Sequence, residues 1–67
     1  MDFKVIIRER RILLGLTQQD LADYSGLSLR IIKSIEAGMG NPSIGTLIKI
    51  AEILGLEISM KIKEVTK

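Results

Sequence analysis

The chain contains no cysteine, histidine or tryptophan among its 67 residues. Without cysteine and histidine, disulfides and almost every structural zinc site are excluded. A domain this small buries only about 60% of the surface that its unfolded chain exposes, so its core is marginal by itself. Small scaffolds without disulfides or metals commonly gain stability from a second copy of themselves. We therefore expect no metal or cofactor, and we expect self-association.

Aromatic residues and long apolar runs are also scarce. Phe3 and Tyr24 are the only aromatic residues, which argues against a base-stacking platform for single-stranded nucleic acid. No apolar run approaches the roughly 20 residues of a membrane span, and no secretory signal opens the chain. We therefore expect a cytoplasmic protein of bacterial type. The net charge of +2 is too small to indicate a nucleic-acid partner by itself.

Capping residues and glycines divide the first 55 residues into short helical segments. The polar residues that can cap the segments are Asp2, Thr17, Ser28 and Ser43. The segments end at about Leu14 before Gly15, at Gly26, at Ala37 and Gly38, and at Leu54 before Gly55. Val5 to Ile7 are β-branched, so a strand is the alternative for the first few residues. The sequence predicts an all-α domain of four to five helices over residues 1–55.

The periodicity changes after Gly55. The apolar residues Leu56, Ile58, Met60 and Ile62 alternate with Glu57, Ser59, Lys61 and Lys63. Strict alternation over eight residues predicts a half-buried β-strand. A lone strand has no partner in its own chain, and pairing with the same strand of a second protomer across a two-fold axis would supply one. Residues 56–67 are thus predicted to form a dimerisation strand and tail.

The window from Gln18 to Ala37 has the length and pattern of a helix-turn-helix unit. A small residue, Ala22, lies where two helices must approach closely, and Gly26 lies at the tight turn. The positions where the two helices would lock together are apolar: Leu21, Leu27, Ile32 and Ile35. Any helical hairpin with a glycine turn shares one of these features, but the simultaneous match of all six positions favours a helix-turn-helix.

The third helical segment has two different faces. At about 100° per residue, Ile31, Ile32 and Ile35 fall on one arc, which is predicted to face the core. The opposite arc carries Leu29, Arg30, Lys33 and Ser34. Arg30 and Lys33 alone would be consistent with a solvated face. Together with the turn pattern, the arrangement favours a helix that lies in the major groove of DNA.

Residues 11–55 resemble the Xre family, which includes the lambdoid phage repressors. The resemblance is carried by the strings Leu16–Gln18, Glu36–Gly38 and Asn41–Ser43. It implies a lambda-repressor-like fold that binds double-stranded DNA as a dimer at palindromic sites, with recognition helices about one DNA turn apart.

The resemblance also implies roles for individual residues. The base-reading positions would be Gln18, Ser28, Leu29, Arg30 and Ser34. The phosphate contacts would come from Arg11, Gln18, Lys33 and Asn41, and Arg11 would also pair with Glu36. Two departures from the family pattern matter. Leu29 is apolar and can contact only a thymine methyl group, and the loop Met39–Asn41 lacks the basic residues often found there.

The run Leu54–Met60 is similar to the end of HipB-type antitoxins, whose C-terminal strands form a small intermolecular sheet. That similarity implies an antitoxin that represses its own operon and binds a HipA-type kinase toxin. The alternative is a stand-alone Xre-type phage or chromosomal repressor. An enzyme is not expected, because the chain has no histidine, no cysteine and no glycine-rich phosphate loop.

Overall fold

The computed structural model describes residues 3–59 of the chain, and these residues form four helices. The helices are α1 (Phe3–Leu13), α2 (Gln18–Ser25), α3 (Leu29–Glu36) and α4 (Ile44–Leu54). The predicted all-α class is confirmed, and helix rather than strand is adopted from Phe3 onward. The predicted cap Asp2 lies outside the described residues. None of the four helices is both long and apolar enough to cross a lipid bilayer.

The helix starts follow from local hydrogen bonds, as predicted. At α2 the Asp20 amide donates to Thr17 Oγ1 at 2.9 Å, and the Thr17 amide donates to Asp20 Oδ2 at 2.9 Å. This reciprocal capping box satisfies two amides that the helix itself leaves without partners. Ser28 and Ser43 cap α3 and α4 in the simpler way, each accepting one amide hydrogen bond at 3.1 Å.

The helix α2 ends at Gly26, whose backbone adopts the left-handed conformation. Gly26 has a φ of 73°, and its amide donates to the carbonyl of Ala22. Gly55 ends α4 in the same conformation, with a φ of 68°. A Cβ makes this conformation unfavourable, whereas glycine adopts it freely.

We expect opposite effects from alanine at two glycines of this chain. Gly26→Ala should lower the free energy of unfolding by about 1–2 kcal/mol, because its φ is positive although no atom crowds it. Gly45→Ala, in the first turn of α4, should raise it by up to about 0.5–1 kcal/mol, the gain for a glycine in the middle of a helix, since the new Cβ would meet only Ser43 Oγ at 3.8 Å. Urea unfolding of both variants checks the signs, and a shift of both in the same direction would contradict this account.

The core lies between all four helices, because α3 and α4 each pack against both α1 and α2. The fully buried side chains are Leu21, Ile32, Ile50 and Leu54, and they are joined by Ile7, Ala22 and Ile35. The predicted locking residues of the helix-turn-helix therefore lie in the core, with Leu27 packed against it.

Two residues of α3 differ from the predicted arrangement. Ile31 was predicted to face the core, but it is 41% exposed. Leu29 was predicted on the exposed arc, but it is half-buried and packs against the core. The buried arc is centred on Ile32, so Leu29 and Ile35, three residues before and after it, flank it on the same face. Ile31 lies outside that arc.

The segment after Gly55 is not a strand in the described residues. The Leu56 amide donates to the carbonyl of Ala51 at 2.9 Å, and the Leu56 side chain packs against the core. Residues 56–59 have no regular secondary structure, and residues 3–59 contain no strand with which they could pair. The predicted strand is therefore not observed there, since a strand requires a neighbour for its backbone groups. Met60 and Ile62 lie outside the described residues.

Candidate nucleic-acid interface

Arg30 is one of two exposed basic side chains on α3, and Lys33 is the other. Arg30 lies at the second position of the helix. Within residues 3–59 its guanidinium has no hydrogen-bond or ion-pair partner. All five of its N–H donors can therefore reach a ligand outside the protein.

The other predicted base-reading residues of α3 are more constrained. Ser28 Oγ accepts the Ile31 amide as the helix cap, which leaves its hydroxyl hydrogen to donate. Ser34 Oγ donates to the carbonyl of Met39 at 3.2 Å, so it retains only acceptor capacity. Leu29 presents a reduced apolar surface because it packs against the core. The geometry thus leaves Arg30 with the greatest capacity to recognise a base edge.

Arg11 and Glu36 form a bidentate ion pair between α1 and α3. Arg11 Nε lies 2.7 Å from Glu36 Oε2, and Nη2 lies 2.9 Å from Oε1. The two side chains are only 12% and 4% exposed. The hydrogen bond to Glu36 raises the pKa of Arg11 above its usual value, so the guanidinium stays charged. The pair connects α1 to α3 through two residues that lie 25 positions apart in the sequence.

Arg11 has few donors left for any other partner. Besides its two bonds to Glu36, its Nη1 donates to the carbonyl of Leu16 at 2.8 Å. Three of the five N–H donors of a guanidinium are therefore used inside the domain. Gln18 also contacts this pair: its Nε2 donates a hydrogen bond to Glu36 Oε1 at 3.3 Å.

An open cleft of about 390 Å³ lies over the ion pair, where α1, α2 and α3 meet. Its walls are formed by Arg8, Arg11, Gln18, Lys33, Glu36 and Ala37. A role for Arg8 was not predicted from the sequence. The spacing of three residues between Arg8 and Arg11 on α1 was the available signal, since residues three apart share a helix face.

Asn41, predicted as a phosphate contact, lies apart from this cleft. It is exposed and lines a shallow pocket of about 280 Å³ between α3 and the loop that precedes α4. Ile31, Ser34 and Met39 line the same pocket, and no basic side chain of the described part of the chain lines it. The structure thus brings Ser34 and Asn41 together at one site and Gln18, Arg11 and Lys33 at another.

Comparisons with known proteins agree with this architecture. A family model described as helix-turn-helix matches residues 7–60. An uncharacterized HTH-type transcriptional regulator of Methanothermobacter thermautotrophicus is 41% identical over 54 residues, which cover 81% of this chain and 78% of the relative. Another from Methanocaldococcus jannaschii is 44% identical over 48 residues, covering 72% of this chain and 73% of the relative.

A third relative is named as a repressor. The cryptic phage CTXphi transcriptional repressor RstR of Vibrio cholerae is 36% identical over 58 residues. The match covers 87% of this chain but 52% of that repressor, so the chain spans about half the length of RstR. The homologues are thus named as transcriptional regulators, one of them a repressor. From the match over residues 7–60 and the observed α2–turn–α3 unit, this chain belongs to the helix-turn-helix family.

Proposed function

We propose that this chain is a sequence-specific transcriptional repressor that binds double-stranded DNA through α3. The observation that carries the proposal is Arg30, an exposed cation without a partner among residues 3–59, near the start of the second helix of the helix-turn-helix. In this motif the first residues of the second helix meet the base edges in the major groove. The protein acts in the cytoplasm as a binding protein and not as an enzyme.

Arg30 reads a guanine in this proposal. A guanidinium can donate two parallel hydrogen bonds to guanine O6 and N7, and this pairing distinguishes guanine from the other bases. The exposed part of Leu29, its neighbour, can contact a thymine methyl group. The Ser28 hydroxyl can donate a hydrogen bond to the DNA, and the Ser34 hydroxyl can accept one. Asn41 contacts the DNA backbone in this proposal, and such a contact positions the protein without reading the sequence directly.

We expect Arg30→Ala to cost about 1–3 kcal/mol of operator affinity and to relax preference at one base position. The measurement is a binding titration against the operator and its single-base variants at constant salt. Lys49→Ala is the matched control, because Lys49 is an exposed cation on α4. A loss for Arg30→Ala that is uniform across all operator variants would instead make Arg30 a phosphate contact.

The repressor is a homodimer in this proposal, and its interface is an apolar groove of about 380 Å³ between α1, α4 and the C-terminal segment. The groove is lined by Phe3, Ile6, Ile7, Leu47, Ala51, Leu56, Glu57, Ile58 and Ser59. Among residues 3–59, the one charged side chain that lines it is that of Glu57, which would repel DNA phosphates. A second copy of the chain is therefore the occupant that we propose.

The C-terminal segment supports that choice of occupant. Ser59 lines the groove, and the alternation that begins at Leu56 continues through Met60 and Ile62. Antiparallel pairing of residues 56–62 with the same residues of a second copy would satisfy the backbone groups of both segments. It would also cover the apolar side chains of both grooves.

Two forms of repressor fit this chain. The similarity of residues 54–60 to HipB-type antitoxins supports an autoregulating antitoxin that binds a HipA-type kinase. The similarity to a phage repressor along 87% of the chain supports a repressor without a toxin. Co-purification of the chain from its native cell distinguishes them: a stoichiometric kinase supports the antitoxin, and DNA binding without one supports the stand-alone repressor.

A further inference from the structure

We propose that the cleft over the Arg11–Glu36 pair holds one phosphate group of the DNA backbone, and that Arg8 and Lys33, rather than Arg11, are the cations that bind it. This inference rests on the proposed DNA-binding function. It assigns a role to Arg8, and it makes Arg11 a positioning residue.

Arg11 is poorly suited to be the main phosphate ligand. Three of its N–H donors are already used by Glu36 and by the Leu16 carbonyl, and its side chain is only 12% exposed. Turning it outward would leave the carboxylate of Glu36, only 4% exposed, without its counter-charge. Removing one partner of a buried ion pair is strongly unfavourable. Arg11 therefore stays with Glu36 and forms the floor of the cleft.

Arg8 and Lys33 are the exposed cations of the cleft. They line it from α1 and α3. Each precedes one member of the ion pair by three residues, and residues three apart share a helix face. The two cations therefore stand beside the Arg11–Glu36 pair on neighbouring helices. Within residues 3–59 neither has a hydrogen-bond or ion-pair partner.

The side chains that line the cleft carry a net positive charge, which favours binding of an anion. Arg11 neutralises Glu36, so the charge that remains is that of Arg8 and Lys33. A phosphodiester oxygen placed between them would accept charge-assisted hydrogen bonds from both. The cleft is open and lies beside α3, whose exposed Arg30 is proposed to read a base. A DNA backbone crossing the cleft can therefore be held while α3 lies in the groove.

The test compares Arg8→Gln and Lys33→Gln with the control Lys49→Gln, which removes an exposed cation from α4. Affinity is measured as a function of salt concentration on the operator and on an unrelated duplex. We expect Arg8→Gln to weaken both complexes by the same factor and to reduce the salt slope by about one per protomer. Its melting temperature should match that of the unmodified chain, and Arg8→Lys should restore most of the affinity.

A second measurement locates the phosphate. Methylphosphonate linkages, which carry no charge, are introduced one at a time into the operator. We expect one linkage per half-site at which the loss of affinity is clearly smaller for Arg8→Gln than for the unmodified chain, because only Lys33 still binds that phosphate in the variant.

A salt slope for Arg8→Gln equal to that of Lys49→Gln would overturn the cleft assignment. The DNA-binding function would still stand in that case if Arg30→Ala lost its base preference. Failure of the unmodified chain to bind any duplex would overturn both.

Discussion

Glu36→Ala is expected to lower the free energy of unfolding by up to about 3–5 kcal/mol, the range for breaking one side of a fully buried ion pair, because this pair is largely but not completely buried. The substitution leaves the guanidinium of Arg11 with 12% exposure and without its carboxylate. It also removes the oxygen that accepts from Gln18 Nε2 at 3.3 Å. Urea unfolding monitored by circular dichroism measures the loss.

The matched controls separate charge from packing. Glu36→Gln keeps one oxygen acceptor but removes the charge, so its loss should be smaller than that of Glu36→Ala. The double variant Arg11→Met with Glu36→Leu removes both charges together. It should recover much of the stability, because an apolar pair of similar volume often replaces a buried ion pair at little cost. An unfolding free energy for Glu36→Ala equal to that of the unmodified chain would show that the pair contributes nothing to stability.

Ile58→Lys is expected to dissociate the proposed dimer and to weaken binding to a palindromic operator by roughly 10²–10⁴-fold, the gain that linking two binding modules provides. Ile58 lines the apolar groove and is 44% exposed in the single chain. A lysine there would put an unpaired charge into the dimer interface, which is unfavourable. Sedimentation velocity gives the oligomeric state, and binding to a single half-site should be unchanged.

Leu13→Lys is the control for Ile58→Lys. Leu13 is 73% exposed at the end of α1 and does not line the groove, so its replacement adds the same charge without touching the proposed interface. We expect this variant to sediment like the unmodified chain and to bind the operator at least as tightly. If Ile58→Lys remains a dimer, residues 56–62 are not the interface, and another surface holds the protomers together.

The extent of each helix was predictable from sequence because its ends depend on neighbouring residues. Thr17 and Asp20 cap α2 through bonds that span three positions, and Gly26 ends it by a conformation that glycine adopts freely. The helix-turn-helix was also predictable, because its small residue, its turn glycine and its apolar positions all lie between Gln18 and Ala37. The strand predicted after Gly55 was not observed in residues 56–59, and residues 3–59 contain no other strand with which it could pair.

The composition of the site was decided by the tertiary structure. Residue spacing alone predicted that Leu29 is exposed and that Ile31 faces the core. In the structure, α3 packs against α1 and α2 with Ile32 at the centre of its buried face, so Leu29 is half-buried and Ile31 is exposed. A side chain on a two-turn helix is buried or exposed according to which neighbours cover it, and periodicity cannot specify those neighbours. The resemblance to a known family correctly paired Arg11 with Glu36.

The sequence by itself therefore determined the helices, their ends and the class of motif, since those depend on bonds and backbone preferences within a few residues. Only the tertiary structure showed that three N–H donors of Arg11 form hydrogen bonds inside the domain. It also showed that Arg8 and Lys33 line the same cleft. The physical reason is distance along the chain. Arg8 and Lys33 come from helices that meet only when the core is buried, and no local preference encodes that meeting.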